Sequence, residues 1–268
     1  MSTIPSIAII GAGNIGTAIA RGLAKTGTLG ADQITLTRRH ADKLQDLAAE
    51  GFATTTDNAA AIAASKLVIL AVEPGQLDDL LQAVGAHFDP ARHTMISVVS
   101  GATIADMKRH LKDGMAVVRA MPNTAIAVGE SMTCLSGTAG LDLADQVFQA
   151  VGITLVIDEE QMSAATALCA CGTAFFLRAI RAASQGGIEI GFPARDALAM
   201  ASQTAKGAAS LLLARGLHPE REIDRVTTPR GATISGLNEM EHQGFSSALI
   251  RGITTSADKV DRLYKKDE

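Results

Sequence analysis

The sequence is short of aromatic side chains, with no tryptophan, one tyrosine and seven phenylalanines, 3% of 268 residues. A surface that binds unpaired bases by stacking needs such rings, so that mode of binding is excluded. Charge is not concentrated either: the formal net charge is -4 and no Lys/Arg-rich run occurs, which argues against a nucleic-acid partner. No apolar run approaches the roughly 20 residues of a membrane helix, and the N-terminus lacks a basic region followed by an apolar core and cleavage site. A cytoplasmic protein without a membrane partner is therefore expected. The three cysteines, Cys134, Cys169 and Cys171, follow no disulfide or zinc spacing, and no Cys/His cluster calls for a metal. Cys169 and Cys171 stand two apart in a stretch read as helical, on different faces; all three read as small buried residues, with a reactive or metal site as the competing reading.

What is present is an ordinary globular composition, 47% apolar and 19% charged, over a length that allows two domains. The chain begins with an apolar strand, Ile7-Ala8-Ile9-Ile10, that runs into Gly11-Ala12-Gly13-Asn14-Ile15-Gly16 and a small-residue helix ending at Gly27. In a dinucleotide-binding turn Gly11 permits the bend, Gly13 the approach of a pyrophosphate, and Gly16 close packing of helix on strand. Asn14 and Ile15 open the helix whose N-terminus faces the phosphates. The next strand, Ile34-Thr35-Leu36-Thr37, ends in Arg38-Arg39-His40, where an NAD site usually carries an acidic residue for the ribose hydroxyls. Asp32 precedes the strand, at the wrong end. Two guanidiniums suit a ribose phosphate, so NADPH is the expected cofactor and NADH a weaker one; arginines that merely solvate a loop are the competing reading.

Through about residue 157 strands and helices alternate as in a doubly wound parallel sheet. Helices are expected at 40–50, closed by Gly51, and at 75–84, 103–111 and 140–150. Strands are expected at 67–72, 94–99, 115–120, 131–135 and 153–157, and a strand buried on both faces of a sheet is expected to read as a near-continuous apolar run. After Asp158-Glu159-Glu160 strand signals fade, and helices are expected near 161–185, 194–214, 231–243 and 246–265, with 265–268 frayed. The fold class is thus an α/β, Rossmann-type doubly wound parallel sheet over 1–158, followed by an all-α domain over 159–268. The Ala/Gly/Ser-rich helices of the second part permit close packing, with apolar faces completed by another subunit.

Ligands in open α/β sheets lie beyond the carboxyl ends of the strands, which singles out Ala71-Val72-Glu73-Pro74, Val99-Ser100-Gly101 and Met121-Pro122-Asn123-Thr124 as walls of a cofactor cleft. For Ser100 and Asn123 ordinary turn chemistry is an equal alternative. A second stretch, Thr227-Thr228-Pro229-Arg230-Gly231-Ala232-Thr233-Ile234, reads as a helix start, with Thr228 as cap, Pro229 at the first position, and an apolar stripe of Ile234, Leu237 and Met240. The free N–H groups around Gly231, Ala232 and Thr233 would hold a carboxylate, with a plain helix cap as the competing reading.

These motifs resemble the pyrroline-5-carboxylate reductase family over nearly the whole chain: GAGNIG, AVEP, ISVVSG, RAMPNT and TTPRGATISGL. The resemblance implies a cofactor domain joined to a helical domain that dimerises, often within larger rings, and a substrate site between the helical domain and its partner subunit. It implies cofactor contacts at Asn58, Ala71, Val72 and Pro74, and a substrate-carboxylate loop at Gly231, Ala232 and Thr233, with the Thr233 hydroxyl near the ring nitrogen. The chain departs from the family pattern at Glu73, usually Lys; at Arg230, usually Gly; and at Ala170-Cys171-Gly172-Thr173-Ala174-Phe175, usually Gly-Ser-Gly-Pro-Ala-Tyr. Arg230 either adds a charge to the carboxylate pocket or obstructs it, and Glu73 changes the charge beside the cofactor. The implied reaction is hydride transfer from NADPH to the C=N carbon of 1-pyrroline-5-carboxylate, giving L-proline, the last step of proline biosynthesis. Thr233 is expected to orient the imine and relay a proton rather than act as a tuned acid. Two alternatives stand beside it: a β-hydroxyacid-type dehydrogenase using Lys206, and a non-catalytic NADP-binding sensor.

Overall fold

The computed structural model describes residues 4–260 and 262–263. Eight strands form one sheet in the order β3-β2-β1-β4-β5-β6-β7-β8. They are β1 (Ile7–Ile10), β2 (Ile34–Thr37), β3 (Ala53–Thr55), β4 (Leu67–Leu70), β5 (Thr94–Ser97), β6 (Ala116–Met121), β7 (Ser131–Gly137) and β8 (Gly152–Val156). Between them run α1 (Asn14–Lys25), α2 (Gln45–Ala49), α3 (Asn58–Ala64), α4 (Leu77–Val84), α5 (Ile104–Lys108) and α6 (Leu141–Gln149). Successive strand residues feed opposite faces. Ile7, Ile9, Leu67 and Ile69 enter one core cluster with Ile19 and Leu23 of α1 and Phe148 of α6. Ala8, Ile10, Val68 and Leu70 enter the other with Leu81 and Phe88. This two-sided burial is why β1 and β4 read as unbroken apolar runs.

One pairing departs from the expected all-parallel sheet: β7 runs antiparallel to β6, Val118 opposite Gly137 and Met121 opposite Cys134. A parallel pairing needs a crossover of about a dozen residues or more, and the short link through a 3₁₀ turn at Thr124–Val128 leaves room only for reversal. β8 is an edge strand, and its Ile153, Leu155 and Val156 are exposed rather than covered as expected. Two further elements are additional to those expected. β3 is only three residues long and half-buried. α3 is an alanine-rich helix started by Asp57, whose Oδ1 accepts the Ala60 N–H at 3.0 Å.

Beyond the sheet come α7 (Met162–Ala165), a π-helical segment (Thr166–Cys171), α8 (Gly172–Glu189), α9 (Ala194–Arg215), α10 (Pro219–Val226), α11 (Ala232–His242) and α12 (Phe245–Val260). The short α10 is also additional, and the helix expected over 246–265 ends at Val260; residues 265–268 lie outside the described residues. By compactness the chain divides into a unit that runs through Thr173 and takes in the chain from Ser256, and a second unit, Ala174–Thr255. The sheet ends near residue 158, yet Met162 packs into a cluster with Met121 and Cys134, so the first turns after the sheet join the first unit. Within Ala174–Thr255 only Ser184 and Ala197 are buried, while large apolar side chains stand open, Ile190 at 77% and Leu213 at 76%. Contrary to the expectation that no segment reaches that length, Glu159–Glu189 is long and apolar enough to match a membrane span by length and composition.

Candidate active site

The first site is built at the carboxyl ends of β1, β2 and β4, where the strand order reverses around β1. Gly11 leaves β1 in the left-handed region, φ 106°, and a Cβ there would stand 2.5 Å from the Ala71 carbonyl oxygen. The Ala12 N–H donates to the Thr37 carbonyl at 2.8 Å, which ties the glycine turn to the end of β2 and brings Arg38 and Arg39 beside it. A Cβ on Gly16 would run into the Gly11 carbonyl oxygen, so glycine lets α1 lie this close. At Gly13, the N-cap of α1, a Cβ would meet no protein atom within 4 Å, and no side chain caps the helix. The helix N-terminus thus opens onto a cleft of about 700 Å³.

Of the expected cofactor residues, Gly11, Gly13, Arg38, Arg39, Asn58, Ala71, Val72 and Glu73 line this cleft. Asn14, Ile15 and Gly16 form the first turn of α1 behind it. Pro74, Ser100, Gly101 and Asn123 are not among its lining residues. His40, Lys43, Gln76 and Asp79 line it as well and were missed. For Lys43 a signal existed, since it continues the basic sequence Arg38-Arg39-His40 after β2. Arg38, Arg39 and Lys43 oppose Glu73 and Asp79, and this cationic excess with an open helix N-terminus fits the phosphates of a dinucleotide.

The loops after β5 and β6 are held by internal bonds. Gly101 is left-handed at φ 85°, and α5 begins with a capping box in which Asp106 N–H donates to Thr103 Oγ1 at 3.0 Å and Thr103 N–H to Asp106 Oδ2 at 2.9 Å. Glu159 Oε1 accepts the Ile104 N–H at 2.6 Å and Arg119 Nη1 at 3.2 Å. Burial lowers the Arg119 pKa, and the bond to Glu159 works against that shift. Both ends of the Asn123 amide are engaged: Oδ1 accepts the Ala125 N–H at 3.1 Å and Nδ2 donates to the Cys169 carbonyl at 3.3 Å.

In the second unit α11 lies close to the helix expected near 231–243, but its N-cap is Gly231 and its first residue Ala232, in place of the expected Thr228 cap and Pro229 first position. Arg230 explains the shift: at φ 61° it is left-handed, which ends any helical continuity, and the Gly231 N–H closes a turn onto the Thr228 carbonyl at 2.9 Å. That bond also corrects the expectation that Gly231 offers a free N–H; the open donors begin at Ala232 and Thr233. A Cβ on Gly231 would strike Thr228 Oγ1, so glycine is required there. No side chain caps α11, and among the described residues the exposed Thr233 hydroxyl has no partner. Cys134 is buried as expected, but Cys169 and Cys171 are only half-buried. Among the described residues no His/Cys/Asp/Glu group could hold a metal, and Lys206 is exposed on α9.

Two family models match the chain: pyrroline-5-carboxylate reductase dimerisation over residues 159–263, and NADP oxidoreductase coenzyme F420-dependent over 6–101. Pyrroline-5-carboxylate reductase 1 of Dictyostelium discoideum is 50% identical over 98% of this chain, which spans only 50% of that longer protein. Pyrroline-5-carboxylate reductase 2 of the same organism is 50% identical over 95% of this chain and 91% of its own length. Among solved structures, a pyrroline-5-carboxylate reductase from Coxiella burnetii superposes with a TM-score of 0.88 at 26% identity, covering 98% of this chain and 100% of that one. The chain belongs to the pyrroline-5-carboxylate reductase family.

Proposed function

We propose that the protein reduces 1-pyrroline-5-carboxylate to L-proline with NADPH, the last step of proline biosynthesis. The observation that carries the reading is the pairing, in one chain, of two uncapped helix N-termini. One lies beside the basic end of β2, and the other lies beside a threonine hydroxyl with no partner among the described residues. The first fits a pyrophosphate, with Arg38 and Arg39 placed for a ribose phosphate. The second fits a carboxylate. When bound, NADPH supplies the hydride. The chain's own work is positioning: the N–H groups of Ala232 and Thr233 hold the substrate carboxylate, and Arg230 adds a cation to the same loop. The Thr233 hydroxyl orients the ring nitrogen, keeping a proton on it so that the C=N carbon is electrophilic. Alignment of donor and acceptor carbons at about 3–3.5 Å then accounts for most of the rate enhancement.

On this reading residues 1–158 bind the cofactor and 159–268 serve dimerisation and substrate binding. The working form is a homodimer or larger homo-oligomer in the cytoplasm. Support for the oligomer comes from Ala174–Thr255, whose uncovered apolar side chains a second copy would bury; exposed apolar surface on this scale marks an interaction face. The same requirement accounts for the apolar stretch Glu159–Glu189 without a bilayer.

The test is NADPH consumption by the purified protein with and without pyrroline-5-carboxylate, with proline measured directly and Thr233→Ala run in parallel. Proline should form, and the variant should lose about tenfold or more in turnover with NADPH binding nearly unchanged. Cofactor binding with no turnover on this imine would overturn the reading.

A further inference from the structure

Cys134 lies in β7 and Cys169 in the π-helical segment, far apart in sequence, yet they meet in one sulfur-rich apolar cluster with Met121 and Met162. Both belong to the same compact unit. Cys134 is 3% exposed within the cluster, and the half-buried Cys169 packs against that same cluster. The backbone at Cys169 is held from two sides, its carbonyl accepting Asn123 Nδ2 at 3.3 Å and Thr173 Oγ1 at 3.3 Å. A π-helical turn inside an α-helix is uncommon and recurs at functional sites, and this one sets Cys169 against the cluster that holds Cys134. Packing alone would be served by any small apolar pair.

We propose that Cys134 and Cys169 form a modification site, a dithiol that a peroxide oxidises to an intrachain disulfide. The chemistry takes two balanced steps. The Cys169 thiolate attacks one oxygen of hydrogen peroxide, so an S–O bond forms as the O–O bond breaks. Sulfur is oxidised to the sulfenic acid, and the departing hydroxide takes up a proton to become water. The Cys134 sulfur then attacks the sulfenic sulfur; the S–S bond forms, the S–O bond breaks, and the Cys134 proton leaves with that hydroxide as a second water. Two thiols and one peroxide give one disulfide and two waters.

Placement assigns the roles. Cys169 is the more exposed sulfur, and the neighbouring Cys134 side chain lowers its pKa to about 7. The Cys134 thiol is pushed up by the neighbouring Cys169 side chain, by burial and by the Cys169 charge. Once Cys169 is a neutral sulfenic acid, that charge is gone and Cys134 is freed to resolve it. Cys171 is not among the residues of the cluster that holds Cys134 and Cys169, and it takes no part. The proposed oxidation needs no cofactor.

The experiment uses the purified full-length protein, reduced, treated with a small excess of hydrogen peroxide, alkylated with N-ethylmaleimide and examined by intact mass and peptide mapping. Two of the three thiols should disappear into a species lighter by two hydrogens, with the Cys134 and Cys169 peptides linked and dithiothreitol restoring both. Cys169 should react at least about fivefold faster than Cys171. In Cys134→Ala the sulfenic acid at Cys169 should persist and be captured by dimedone, whereas Cys171→Ser should behave as the parent. Three alkylatable thiols after peroxide, a link through Cys171, or a link between chains would overturn the proposal. Each of these is read on the parent protein alone, so a variant that fails to fold leaves the test intact.

Discussion

The three glycines of the first turn should fail in different ways when each is replaced by alanine, because a methyl at each meets something different. At Gly13 the backbone is already ordinary, φ -78°, and the added Cβ has no protein atom within 4 Å. Losing glycine there removes some unfolded-state freedom, worth about 0.4–1 kcal/mol in favour of the fold. Alanine is also a poorer N-cap than glycine by about 0.5–1 kcal/mol. The two offset, so Gly13→Ala should stay within about 1 kcal/mol of the parent. The methyl instead occupies the approach of the pyrophosphate, where overpacking costs about 1–3 kcal/mol, or roughly 5- to 150-fold in NADPH affinity. At Gly11 the Cβ would sit 2.5 Å from the Ala71 carbonyl oxygen with φ held at 106°, so backbone must move. Strain and overpacking together cost about 2–5 kcal/mol, a large part of a domain's stability. Gly16→Ala would drive a methyl into the Gly11 carbonyl without any left-handed strain to add, so the overpacking alone, about 1–3 kcal/mol, is expected. Urea denaturation followed by circular dichroism reads the fold, and NADPH fluorescence titration reads the site. The reasoning would be refuted by Gly13→Ala binding NADPH like the parent, or by Gly11→Ala matching the parent's denaturation midpoint.

Three further outcomes can be checked. Arg38→Ala combined with Arg39→Ala should weaken NADPH by about 2 kcal/mol, near 30-fold, at about 1 kcal/mol for each solvent-facing guanidinium, while NADH changes less than about threefold; equal losses in a parallel titration would sink the specificity argument. Arg230→Gly relieves a left-handed non-glycine residue worth about 1–2 kcal/mol but gives the unfolded chain about 0.4–1 kcal/mol of extra freedom, so thermal stability should hold or rise slightly. Its KM for the imine acid should rise severalfold, and an unchanged KM would remove Arg230 from the substrate loop. His93 is buried beside Phe88, with ring centroids 5.9 Å apart, and its Nδ1 accepts the Asp89 N–H at 2.8 Å; burial lowers its pKa from 6.5. Its contribution is therefore complete above about pH 6.5, where the unfolded side chain is neutral too, and is lost as pH falls and the unfolded chain takes up the proton. Denaturation from pH 7.5 to 5 should show the parent losing more stability than His93→Gln, by up to about 1.4 kcal/mol per pH unit, and parallel curves would contradict this.

Much of the first unit was legible because its signals are local. The glycine turn, the apolar runs of β1 and β4, and the basic residues after β2 are each fixed by neighbours in sequence, and burial on both faces writes itself as continuous apolar stretches. What failed depended on distance or on one dihedral. A three-residue strand such as β3 carries no period, and the reversal of β7 follows from the length of its connection rather than from its composition. The late start of α11 turns on Arg230 at positive φ, which propensity does not anticipate for arginine.

The sequence by itself determined the kind of fold, the position of the dinucleotide turn and the candidate residues on both helix N-termini. Tertiary structure alone decided which of them share a space. It set Lys43 and Asp79 into the cleft with Arg38, engaged the Asn123 amide in protein bonds, brought Cys169 onto Cys134, and left Ala174–Thr255 with little buried inside it. The reason is that hydrophobic periodicity specifies that a face must be covered, whereas the identity of what covers it depends on long-range packing among elements distant in the chain.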